Sequence, residues 1–81
     1  MRIIAELPHP ELKVSILNMN NKFIVKIEQG NIEQTYKIAE SDLAEGVNSV
    51  FEILDDEFLK AVSARFIEMR KDFKETYNRY N

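Results

Sequence analysis

The chain has 81 residues, with 11 Lys and Arg against 14 Asp and Glu for a net charge of −3, and it contains no Cys and no Trp. That length fits one small domain, residues 1–81, and the lack of Cys excludes a disulfide framework, a zinc ribbon and a thiol nucleophile. Two Gly leave no phosphate-cradling loop, and a 44% hydrophobic content at low net charge excludes a disordered chain.

Arg2–Leu7 reads as a strand. It is too short and too interrupted, at Glu6, for a secretory signal, and no later run approaches the ~20 apolar residues that span a bilayer. The expected setting is soluble and cytoplasmic. Pro8-His9-Pro10 then bends the chain, because proline fixes φ and donates no hydrogen bond.

From Leu12 the side chains alternate with period two. Leu12, Val14 and Ile16 share one face, and so do Phe23, Val25 and Ile27, then Ile32, Gln34, Tyr36 and Ile38. Alternation with β-branched and aromatic residues predicts strands with one buried face. Asn20-Asn21 suits a type I′ turn, whose central residues need positive φ, and this loop sets Ile16 against Val25 and Val14 against Ile27. The second turn lies within Gln29-Gly30-Asn31. A Gln29-Gly30 loop is expected there, because a Gly30-Asn31 loop would set Glu28 opposite Glu33.

Beyond Ser41 the period is helical. Ser49-Val50-Phe51-Glu52 fits a capping box opening a short helix that ends at Leu54. Asp55 or Asp56 then caps a long helix reaching about Tyr80. On it Leu59, Val62, Phe66, Met69, Phe73 and Tyr80 recur at heptad spacing with Thr76 in the gap, while Phe58 and Tyr77 widen the stripe. A helix of about 24 residues spans ~36 Å, but a strand of about eight spans ~27 Å. The helix is expected to outrun its sheet.

The predicted fold is α+β: an antiparallel meander of three to four strands over about 2–39, then a short helix and a long C-terminal helix over about 42–80, packed on one sheet face. Its expected core is Val14, Ile16, Phe23, Val25, Ile27, Tyr36, Ile38, Val50, Phe51, Leu54, Phe58, Leu59, Val62, Phe66, Met69 and Phe73.

The overlong stripe points to a non-catalytic interaction domain that forms a homodimer through Phe66, Met69, Phe73, Tyr77 and Tyr80, because small domains gain stability by association. Charge is segregated along the helical part. Residues 41–64 hold only Lys60 against six acids, and residues 65–81 hold five bases against three acids. Acids at a helix start and bases at its end compensate the helix dipole, and they also suit antiparallel pairing of two helices. The alternative is a nucleic-acid-binding module using Arg65, Arg70, Lys71, Lys74 and Arg79, opposed by the interleaved Glu68, Asp72 and Glu75 and by the negative net charge.

No cofactor or metal is expected. His9 is the only imidazole and Asp55-Asp56-Glu57 the only carboxylate run, and adjacent carboxylates at a helix start point apart and act as caps. A catalytic reading would require a cleft joining His9 to that run. On the other sheet face Leu17 is set across from Ile24, with Met19 and Ile4 nearby, either as scattered apolar residues or as a second contact patch.

Overall fold

The computed structural model describes residues 2–80. Four strands, β1 (Arg2–Leu7), β2 (Lys13–Met19), β3 (Lys22–Gln29) and β4 (Ile32–Ala39), form one antiparallel sheet in the order β1-β2-β3-β4. A 3₁₀ turn (Glu40–Asp42) leads to α1 (Val47–Ile53), and α2 (Asp56–Tyr80) closes the chain.

The turns account for the meander. Asn20 and Asn21 have φ of 52° and 63°, as a type I′ turn demands, and the register places Ile16 opposite Val25 and Val14 opposite Ile27. The second hairpin departs from expectation. It turns on Gly30-Asn31, so Glu28 does lie opposite Glu33. Gly30 alone has positive φ (62°), the signature of a II′ turn with glycine at its first central position. The like charges are tolerated because Lys26 Nζ sits 3.5 Å from Glu28 and 4.0 Å from Glu33. Turn geometry outweighs an exposed repulsion that a neighbouring cation offsets.

The first bend is held by His9, whose Nδ1 accepts backbone N–H bonds from Glu11 (3.1 Å) and Leu12 (3.2 Å). In β1 the pairing slips between Ile3 and Ala5, so Ile4 is an extra, bulged residue.

α1 starts earlier than the capping-box reading places it. Its N-cap is Gly46 at φ 60°, with no side-chain cap, and Ser49 lies inside the first turn, where its Oγ accepts the Glu45 backbone N–H at 3.0 Å. Ser49 therefore supplies the backward-reaching half of a capping arrangement and not the cap itself. α2 begins as expected: Asp55 Oδ1 accepts the Phe58 N–H at 2.8 Å.

One sheet face and the two helices enclose the core. Leu12, Val14, Ile16, Phe23, Val25 and Ile27 meet Val50, Leu54, Val62 and Phe66, with Tyr36, Ile38, Phe58, Leu59 and Met69 half-buried around them. Two residues expected inside are outside. Phe51 on α1 is 37% exposed and stands outside the core cluster, and Phe73 is 64% exposed beside the β3–β4 hairpin tip. On the opposite sheet face Leu17 and Ile24 are paired and buried, separate from this core. The exposed apolar residues near them are Ile3 and Ile4 on the β1 edge.

The Cα radius of gyration is 14.5 Å and the extents are 47 × 26 × 19 Å. A compact domain of this length has a radius of about 12 Å. The excess is α2, whose 25 residues run about 37 Å.

Candidate interaction surface on the C-terminal helix

The first half of α2 is anchored by apolar contact and by one buried polar link. Val62 and Phe66 point into the core, and Phe66 has no exposed surface. Gln34 of β4 is itself buried, and its Nε2 donates to the Val62 carbonyl at 3.0 Å while its Oε1 accepts the Tyr36 hydroxyl. Both ends of the amide are thereby satisfied, which a buried amide requires. Tyr36 also meets Phe58 edge-on, ring centroids 5.4 Å apart. Period-two alternation puts Gln34 on the core face. Its bond to a helix carbonyl has no sequence signal, because the partner lies 28 residues away.

Past Met69 the platform ends. Arg70 donates to the side-chain oxygen of Gln29, so the β3–β4 hairpin tip makes the last polar contact with the helix. Phe73, Tyr77 and Tyr80 are 64%, 58% and 87% exposed. Phe73 and Tyr77 lean on each other one turn apart, centroids 6.5 Å and planes 56° apart. Between them and the hairpin tip runs a groove of about 450 Å³, lined by Gln29, Gly30, Asn31, Ile32, Arg70, Phe73, Lys74 and Tyr77. From Met69 to Tyr80 the helix projects about 16 Å.

The five residues expected at an interface therefore divide. Phe66 is enclosed by its own chain and Met69 is half-buried, whereas Phe73, Tyr77 and Tyr80 form the free surface. Ile67, also exposed, lies off the stripe, so heptad spacing carries no signal for it.

Arg65, Arg70, Lys71, Lys74 and Arg79 are all exposed, but at about 100° per residue they spread around the helix and form no single stripe. Arg70 is engaged by Gln29, and Arg79 donates to Thr76 Oγ1 at 3.1 Å.

Two other grooves occur. One, about 320 Å³, joins His9 and Glu11 to Asp56, Leu59, Lys60 and Ser63, so His9 does approach the acidic helix start. Its Nδ1 is occupied by the two backbone donors, and among the described residues no hydrogen bond links the ring to Asp56 or Ser63. The nucleophile–base contact that acyl-transfer chemistry uses is not formed. The other, about 330 Å³, is apolar and lies at the β4 edge between Tyr36, Ile38, Ile53, Leu54 and Phe58. Among the described residues no group of three or more His, Cys, Asp or Glu converges as metal ligands, and no helix is long and apolar enough to cross a membrane. Comparison with protein-family models, curated proteins and solved structures finds no match to this chain.

Proposed function

We propose that this chain is a non-catalytic interaction domain that self-associates, as a homodimer, through the second half of α2. The observation that supports this reading is the exposure of Phe73, Tyr77 and Tyr80 on a helix continuing past its own sheet. An aromatic side chain offers about 150–250 Å². At these exposures the three side chains offer about 600–1,000 Å² across a pair of copies. Exposed apolar patches of several hundred Å² mark contact sites, and an interface of that size sits at the weak end of specific association. The dimer is therefore concentration-dependent.

Sedimentation velocity across the micromolar to submillimolar range tests the reading. The expected result is a rise in weight-average mass from monomer toward dimer. A monomer throughout that range overturns it.

A further inference from the structure

The geometry points to an antiparallel, staggered pairing of two α2 overhangs, in which Phe73 of each copy packs on Thr76 of the other and Asp72 of each pairs with Arg79 of the other. The inference rests on the self-association reading above and adds orientation and register to it.

Continuing the heptad that buries Val62 and Phe66 on the sheet places Phe73 and Tyr80 at one seam position, and Met69 and Thr76 at the other. In an antiparallel pair these two positions alternate across the interface. The seam over Val62 and Phe66 is already occupied by the chain's own sheet, so only Met69–Tyr80 is open to a partner. Full-length pairing of acidic start with basic end is thereby blocked, and any complementarity must lie within the overhang.

Charge then selects among the registers. With Phe73 on Thr76 of the second copy, Tyr80 reaches the half-buried Met69 beside the hairpin-tip groove, and Asp72 flanks Arg79 twice by symmetry. Arg79 already leans over the seam toward Thr76 Oγ1. Sliding one heptad inward opposes Asp72 with Asp72 and Arg65 with Arg79. Sliding one heptad outward opposes Arg79 with Arg79. A parallel pair in register sets Arg65 against Arg70. Only the staggered antiparallel arrangement brings opposite charges together at these flanking positions, and like charges there are destabilising.

The chain has no cysteine, so a single Lys60→Cys, on an exposed position outside the overlap, takes one spin label per copy. At 1.5 Å per residue the proposed register separates the two labels by about 45 Å, the inward slide by about 35 Å and the outward slide by about 55 Å. A parallel pair brings them within about 20 Å. A dimer with labels near 45 Å supports the proposal. A dimer at any of the other distances overturns the register and leaves self-association standing, whereas a monomer overturns both.

A charge exchange gives the second readout. Asp72→Arg alone and Arg79→Asp alone should each weaken the dimer about tenfold, and the two together should restore it to within about threefold. Restoration excludes a simple effect of Arg79→Asp on the helix end, because the double variant keeps that change. Equal weakening in the single and double variants overturns the pairing.

Discussion

Replacing Phe73 with Glu separates the overhang from the core. Full burial of a Phe side chain is worth about 1.5–3 kcal/mol. The ring is 64% exposed in the single chain, so the monomer forfeits only the remaining third or so, about 0.5–1 kcal/mol. Two copies of that exposed fraction are buried in the dimer, worth about 2–4 kcal/mol, which weakens the dissociation constant about 30- to 700-fold. Burying a carboxylate adds to the loss. Sedimentation equilibrium reads the dimer, and urea unfolding monitored by circular dichroism reads the monomer. The expected result is a folded monomer whose unfolding free energy falls by only about 0.5–1 kcal/mol, a urea midpoint lower by no more than about 1 M. An unchanged dimer would refute the assignment of Phe73 to the interface, and an unfolded chain would show that the ring belongs to the core.

Phe66→Ala should do the reverse: with no exposed surface at this ring, the loss is about 3–5 kcal/mol, most of the stability of so small a domain, read as a collapse of the urea midpoint. Gln34→Ala should cost about 1–2 kcal/mol and lower the calorimetric midpoint by about 6–12 °C. Gln34→Leu should stay within about 1 kcal/mol of the parent, since the Val62 carbonyl keeps its helical N–H partner and the half-exposed Tyr36 hydroxyl can turn to water. Equal losses in both variants would show that the hydrogen bond outweighs the filled volume. Lys26→Ala should destabilise by less than about 1 kcal/mol at low salt by leaving Glu28 and Glu33 opposed, and the difference should vanish in about 1 M salt, where the screening length is ~3 Å. A salt-independent difference would assign the effect to packing of the Lys26 stem.

Local chemistry made most of the fold legible. Strands, the Asn20-Asn21 turn, the Asp55 cap and the length of α2 follow from alternation, positive-φ preference, capping and heptad spacing, all of which act between residues near in sequence. The second hairpin departs from the sequence expectation because a cross-strand repulsion depends on its neighbours: Lys26 reaches Glu28 along its own strand and Glu33 diagonally across the sheet. Phe51 and Phe73 fall outside the expected core because periodicity gives a helix face but not where the opposing surface ends.

The 81-residue sequence by itself determined the kinds of elements, their order and their apolar faces, because those depend on the backbone preferences and spacing of consecutive residues. Tertiary structure alone decided which part of the helical stripe is covered. The sheet ends at the Gly30-Asn31 tip, Gln34 and Gln29 tie α2 down at Val62 and Arg70, and everything beyond is left in solvent. One apolar stripe thus becomes core at Phe66 and open surface at Phe73, a distinction that depends on the reach of the platform and not on the residues of the helix.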